Sequence, residues 1–349
     1  MVLSFKPVWF DSLGAKSACV LVKTPDISVI IDPGIAIMQP SFPGSEEEKI
    51  KWLVDGERII KKASKKADAI VISHYHYDHY FPDDLSIYEG KTIFAKNPNE
   101  YINDSQRKRA ERFYSDLYLY FGNLKLDAVW EKGSPRDYPN PMEDLPIAFS
   151  RDFGDYNKRR KQLLEKGLKW FKNRVRTWNN SPKIPEVNVE KLKVVFADGK
   201  EFQFGDTKIR FTEPMFHGIE FSRVGWVIST VIEHGGEKLI HSSDLNGPII
   251  EDYAEWIIRE NPSILILDGP MTYMLGYLLN KINLRRAIDN GVKIVEGIDA
   301  EVIIYDHHLP REVHFKEHTK EVWETAERLN KRVLTAAEFL GKRPKVLEI

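Results

Sequence analysis

Three histidines and an aspartate fall within six positions, His74-Tyr75-His76-Tyr77-Asp78-His79, directly after the apolar run Ala69-Ile70-Val71-Ile72. A short, β-branched apolar run predicts a buried strand, so the cluster lies where a strand leaves a sheet. In an extended segment residues i and i+2 point the same way, which lets His74 and His76 reach one ion. Asp78 and His79 follow a turn and point elsewhere, toward a second ion. Packed without metal, four such groups would repel when protonated and would be costly to bury unpaired. The chain has a single cysteine, Cys19, which excludes an intramolecular disulfide and a cysteine-rich metal site. A metal here must be held by imidazole and carboxylate, which suits zinc in a catalytic site and also iron or manganese.

The surrounding sequence is that of a globular α/β protein. Hydrophobic residues make up 42% and charged residues 30% of 349 positions, a balance that argues against disorder. Lys and Arg total 51 against 52 acids, a formal net charge of -1, so no global basic field calls for nucleic acid as a partner, although a local patch is compatible with it. The N-terminus has no apolar segment with a cleavage site, and no apolar stretch reaches membrane-spanning length; the expected location is the cytoplasm, with no membrane partner. Heavy use of Lys, Glu and Arg is compatible with a thermophilic source.

Strands are predicted at 18–22, 27–31, 69–72, 194–196, 208–211, 225–232, 238–240, 264–267 and 302–305. Helices are predicted near 46–65, 249–260, 276–290 and 311–330, with Ile50, Leu53, Ile59 and Ile60 as the buried positions of the first. Residues 97–191 differ in character. They carry the basic clusters Arg107-Lys108-Arg109 and Lys158-Arg159-Arg160-Lys161, many aromatics, and Pro135, Pro139, Pro141 and Pro146. They read as an insertion with one or two charged amphipathic helices, such as 157–178, serving as a solvated face, a lid or a substrate arm. Two strand-rich halves with helices between them predict one domain over 1–349, an αββα sandwich of two packed sheets with helices outside.

The motif His74-x-His76-x-Asp78-His79 after an apolar strand resembles the signature of the metallo-β-lactamase superfamily. Asp32 in Ile31-Asp32-Pro33-Gly34 resembles its first motif, an aspartate that supports the metal histidines. His217 in Glu213-Pro214-Met215-Phe216-His217-Gly218 resembles the third and Asp244, in Ser243-Asp244-Leu245, the fourth. Asp306-His307-His308-Leu309-Pro310-Arg311 resembles the fifth. With its Ser12-Leu13-Gly14-Ala15-Lys16-Ser17 start, the chain is most similar to an uncharacterised family of predicted archaeal metal-dependent hydrolases.

The resemblance implies a four-layer αββα metallo-β-lactamase fold and two zinc ions per chain, with manganese or iron as alternatives. It places His74, His76 and His217 on one ion, Asp78, His79 and a fifth-motif histidine on the other, and Asp244 between them. His307 and His308 both remain candidates. Arg311 matches the arginine that the related tRNA-processing nucleases carry four residues after their ligand, which favours His307 and leaves His308 for substrate. His241, at a strand end beside Asp244, is a candidate to orient that carboxylate or touch substrate, and Asp268 a candidate support residue or turn-former. His314 and His318, four apart on a predicted helix, and His234, in a hairpin turn, read as surface residues. The flavin-linked di-iron branch generally has glutamate where His76 stands, so hydrolysis is favoured over redox chemistry. The implied mechanism is a metal-bound hydroxide attacking a phosphoester or phosphodiester, with Asp78 and Asp244 as catalytic carboxylates. An ester or lactone of a small metabolite is the alternative substrate, and a non-catalytic metal-binding scaffold the alternative role.

Overall fold

Alternation along the strands decides where the interior lies. In the strand Ser28–Ile31, Val29 and Ile31 turn to one face and Ile30 to the other. In a computed structural model, which describes residues 3–349, Val29, Ile31 and Val71 join Ile232, Leu239, Ile266 and Ile304 in an apolar layer between two sheets. The opposite faces, with Ile30, Ile70 and Ile240, pack against helices in a second apolar cluster. The result is an αββα sandwich.

The first sheet has seven strands in the order Ser4–Phe10, Ala18–Lys23, Ser28–Ile31, Ala69–Ile72, Lys91–Ala95, Leu192–Phe196, Asn188–Val189. The second runs Val333–Leu334, Val302–Asp306, Ile264–Asp268, Glu237–His241, Thr230–His234, Thr207–Phe211, Glu201–Phe204. The central strands Ser28–Ile31 and Ala69–Ile72 pair in parallel, as do Glu237–His241, Ile264–Asp268 and Val302–Asp306. Parallel strands end on a common edge, and the loops leaving those ends meet there. No helix among the described residues is long and apolar enough to cross a membrane.

Residues 97–191 form the crossover between Lys91–Ala95 and Leu192–Phe196, which are themselves paired in parallel. The segment leaves that pairing intact, adds helices Asp104–Gly122 and Asn157–Asn180 with shorter turns between them, and ends in the edge strand Asn188–Val189. Buried Arg286 holds part of it in place. Its guanidinium donates to Glu220 and Glu251, which in turn bind Arg160 and Arg151 of the crossover.

Several sequence expectations shift. Helix Glu46–Ser64 starts on a Ser45–Glu48 capping box, but it buries Gly56 and Ile60; Leu53 and Ile59 are half-buried and Ile50 is 51% exposed. The apolar run 225–232 serves two sheets: Trp226–Val227 pairs with Met215–Phe216, Ile228 N–H donates to Ser73 O, and only Thr230–His234 joins the large sheet. The helix placed at 276–290 is Lys281–Gly297, because Asn280 caps it by accepting from Asn283 N–H. The 311–330 helix divides into Phe315–His318 and Lys320–Arg328 at Thr319, whose hydroxyl donates to Phe315 O.

Candidate metal centre

The five motifs leave strand ends on the shared edge. Ala69–Ile72 delivers the His74–His79 loop, Ser28–Ile31 delivers Asp32, Met215–Phe216 delivers His217, Glu237–His241 delivers Asp244, and Val302–Asp306 delivers His307 and His308. The turns there are tight. Asp32, Ser243, His307 and His308 all hold φ between 39° and 54°, a region that costs non-glycine residues about 1–3 kcal/mol each and recurs at functional sites. Gly34 makes room for the histidine loop: a Cβ there would lie 2.3 Å from the backbone nitrogens of His79 and Tyr80.

Asp244 is the centre of the arrangement. Its Oδ2 faces His74 Nε2 at 3.3 Å and His217 Nε2 at 3.0 Å, and His76 Nδ1 lies 2.9 Å from His74 Nε2. Its Oδ1 faces His79 Nε2 at 3.2 Å and His307 Nε2 at 3.5 Å, and Asp78 Oδ2 lies 4.0 Å from His307 Nε2. One carboxylate oxygen thus serves each set. His74, His76, His217 and Asp244 form one group with donor atoms within 4.8 Å of one another, and Asp78, His79 and His307 form another.

The donor atoms fit cations better than they fit each other. His79 Nε2, His217 Nε2, His307 Nε2 and Asp244 Oδ1 are buried with no hydrogen-bond partner, their close approaches being off the line a hydrogen bond needs. Tetrahedral zinc with nitrogen donors has ligand edges of about 3.3 Å, close to the separations around Asp244. The charge balance points the same way. Burial pushes the His79 imidazole down, but Asp244 and Asp32 outweigh it and hold it up at about 10. Burial likewise opposes a charge on His307, and Asp11 and Asp244 raise it above the usual range. Burial and the neighbouring His79 bring His74 down to about 4. Burial raises the Asp78 carboxyl, yet His79, His307 and Arg311 hold it well below the ordinary range. A site this rich in buried carboxylate stabilises positive charge, which a divalent cation supplies.

The outer nitrogens are mostly engaged, which aims the inner ones. Asp32 Oδ2 lies 2.8 Å from His79 Nδ1 and accepts from Ser73 Oγ, which also lies 3.1 Å from His74 Nδ1. Asp11 Oδ1 lies 3.1 Å from His307 Nδ1. Asp268 Oδ1 lies 2.8 Å from His308 Nδ1, and its Oδ2 accepts from the Asn246 backbone. His308 Nε2 then points toward Asp244 Oδ2 at 4.0 Å, on the side of the first set. Both fifth-motif histidines are therefore brought to the centre: His307 joins Asp78 and His79, and His307 and His308 also form a further group with Asp244. Arg311 donates through Nε to Asp11 and through Nη1 to Tyr273, while buried Nη2 has no hydrogen-bond partner and sits 3.6 Å from Asp78 Oδ2.

Other candidates lie differently. Both ring nitrogens of His241 are occupied, Nε2 by Ala18 O and Nδ1 by Ser243 N–H, so it braces the turn before Asp244 from behind and has nothing to offer substrate. His234 is not freely exposed: its Nδ1 lies 3.0 Å from Thr207 Oγ1 and 3.4 Å from Asp26 Oδ2. His314 precedes the short helix rather than lying on it; His314 and His318 face Glu317 and Glu312 respectively, away from the centre.

Sequence reasoning missed Asp11, Ser73, Lys16 and Gln106. Asp11 receives Ser17 N–H, His308 N–H and Arg311 Nε and reaches His307 from 296 positions away, so no local spacing marks it. Ser73 adjoins the motif but is an ordinary strand-end residue by sequence. Lys16 is close enough to Arg311 and Asp78 to feel both: burial and Arg311 lower its ammonium, Asp78 raises it. Gln106 accepts from Tyr75 N–H and donates to Val224 O, joining the crossover to the histidine loop.

Comparison with known proteins gives the relatives of the chain. The model of the metallo-beta-lactamase superfamily matches residues 14–81. A UPF0282 protein from Methanopyrus kandleri is 31% identical, with 98% of this chain and 95% of that protein covered. One from Korarchaeum cryptofilum is 30% identical over 98% and 91% respectively. The crystal structure of a possible metal-dependent hydrolase from Veillonella parvula is similar over 96% of this chain and 95% of its own, at 11% identity and a TM-score of 0.38.

Proposed function

Because the chain belongs to the UPF0282 family and carries a metallo-beta-lactamase domain, we propose that it is a dinuclear zinc hydrolase acting on a phosphoester or phosphodiester. The reading is carried by Asp244, whose two oxygens each face a separate set of inward-pointing donors. His74, His76 and His217 with Oδ2 would hold one cation; Asp78, His79 and His307 with Oδ1 would hold the second. The imidazole-rich sets suit zinc, with manganese or iron able to compete. Bound there, two such cations supply the Lewis acidity that brings water's pKa toward neutrality and offsets charge on an ester oxygen.

The chain's own groups do the rest. His76 and Asp78 are the partly exposed members of the two sets, so the centre is reached from their side. Against burial, Asp78 stays ionised, held so by His79, His307 and Arg311, so it would help hold the second cation and orient the attacking water rather than act as a strong base. Asp268 fixes the His308 ring with Nε2 toward Asp244, from where it would contact a bound ester. Arg311 Nη2 has an unused donor beside Asp78, and Lys16 adds a second cation nearby. Arg311 and Lys16 beside Asp78 would favour an anionic substrate over a neutral ester or lactone.

The test is turnover of bis(p-nitrophenyl) phosphate against a lactone panel, with zinc or manganese, together with metal analysis of the purified protein. About two zinc ions per chain are expected, with metal and phosphodiesterase activity falling in His76→Ala and Asp244→Ala. Activity confined to lactones would overturn the phosphoester assignment. Iron with oxygen consumption would overturn hydrolysis.

A further inference from the structure

Helix Asn157–Asn180 carries nine basic residues and one acid, Glu165. Seven of the nine are exposed: Lys158, Arg159, Lys161, Lys166, Lys169, Lys172 and Arg176. At 100° per residue all seven project within a sector of about 160°. None has an acidic side chain within 4 Å among the described residues; the acid Glu165 shares the sector, which leaves seven cations against one anion on this helix face.

Folding does not call for this stripe. Lys169 and Lys172, and Lys172 and Arg176, are neighbours on one face and repel. Lys158 and Arg159 stand in the first turn, where the helix dipole disfavours cations and no acid offsets them. The other face supplies the packing: Phe171 and Trp178 are buried and Trp170 stacks on Trp226 at 5.5 Å. Gly167 lets the helix come close to Phe221, since a Cβ there would stand 2.5 Å from the Phe221 Cβ. Trp226 pairs in register with Phe216, the residue before His217. The stripe is thus a rigid cationic rail mounted on the loop that carries a metal-site histidine.

We propose that this rail docks the phosphate backbone of a double-helical nucleic acid, which rests on the phosphodiester reading above and names the substrate class for it. From Lys158 to Arg176 the helix runs about 27 Å, most of the roughly 34 Å of one duplex turn. The stripe itself holds no aromatic side chain on which unpaired bases could stack, so phosphates rather than bases are contacted. It also holds no aliphatic side chain; Leu163, 41% exposed, lies beyond its margin, and Phe171 and Trp178 are buried in the core, so the helix lacks the continuous exposed apolar face that an interfacial membrane helix needs.

The experiment measures fluorescence anisotropy of labelled 20-base-pair RNA and DNA duplexes with the full-length, metal-loaded protein across a salt series. Binding is expected, with log K falling against log salt at a slope of about −0.9 per phosphate contacted. The variant Lys158→Ala/Lys161→Ala/Lys169→Ala/Lys172→Ala should lose at least about tenfold in affinity, and its slope should be shallower by about 3.6. The corresponding four Lys→Arg changes should retain binding, and both variants should melt as wild type does. No duplex binding at low salt would overturn the proposal. So would an unchanged affinity and slope in the alanine variant, or lysine-dependent capture of phosphatidylglycerol vesicles without duplex binding. Wild-type protein that turns over bis(p-nitrophenyl) phosphate but binds neither duplex would refute this inference alone. Docking without turnover would refute the hydrolase reading alone.

Discussion

Asp11→Asn tests whether the centre depends on a residue that touches no candidate donor atom on the metal side. Asp11 is fully buried and its carboxylate is used on both oxygens. Oδ1 accepts from Ser17 N–H at 2.9 Å and lies 3.1 Å from His307 Nδ1; Oδ2 accepts from His308 N–H at 2.8 Å and from Arg311 Nε. Asparagine keeps the volume and one acceptor but turns an amide N–H₂ toward Arg311 and His308, donor against donor. Removing one partner of a buried ion pair costs about 3–5 kcal/mol. Arg311 keeps Tyr273 and has Asp78 at 3.6 Å, which points to the lower end, about 3 kcal/mol. At about 2 °C per kcal/mol for a chain of this size, Tm should fall by about 6 °C. Losing the group that orients His307 should also weaken metal at the second set about 10- to 100-fold, leaving the first set little changed. Calorimetry reads the first effect and chelator competition the second. A melting temperature and a second-site affinity both equal to wild type would refute the orienting role given to Asp11.

The two fifth-motif histidines should separate on metal analysis: His307→Ala should lose about one of two ions, while His308→Ala keeps both and loses kcat; equal metal loss would contradict the division. Gly34→Ala should destabilise the fold by about 3 kcal/mol or more, since its Cβ meets backbone at 2.3 Å rather than a yielding side chain; a thermal melt checks this, and near-wild-type stability would show the histidine loop can move. For pH, burial raises the Glu260 carboxyl, but Arg210 and Lys238 outweigh it and hold it at about 2, against an ordinary value of 4.5. A depressed carboxyl stabilises the fold above 4.5 and loses that contribution as pH falls from 4.5 toward 2. Glu260→Gln should therefore flatten that part of the stability–pH curve; an unchanged slope there would mean the pair with Arg210 contributes nothing measurable.

Legibility divided along physical lines. The strand Ala69–Ile72 and the histidine loop after it were readable because both depend on neighbours a few residues apart. The errors fell where a local pattern met a distant competitor. Ile50 has the right helical spacing, but Trp9 and Ile35 crowd the Gly56 side instead and set which face turns inward. Of the two roles open to His241, Ala18 on the opposite sheet removes the substrate contact by claiming Nε2 and leaves the support of the turn before Asp244. His307 and His308 are adjacent and chemically identical, and only Asp11 on one and Asp268 on the other give them different directions.

Sequence alone determined the residue types that meet at the centre and the strand ends they leave from, since periodicity and turn chemistry are written in short stretches of chain. Tertiary structure decided which nitrogen faces inward, which oxygen of Asp244 serves which set, and that Asp11 and Lys16 belong there at all. Those choices are made by groups up to about 300 positions apart in the chain, whose meeting depends on how two sheets stack and so leaves no mark in local spacing.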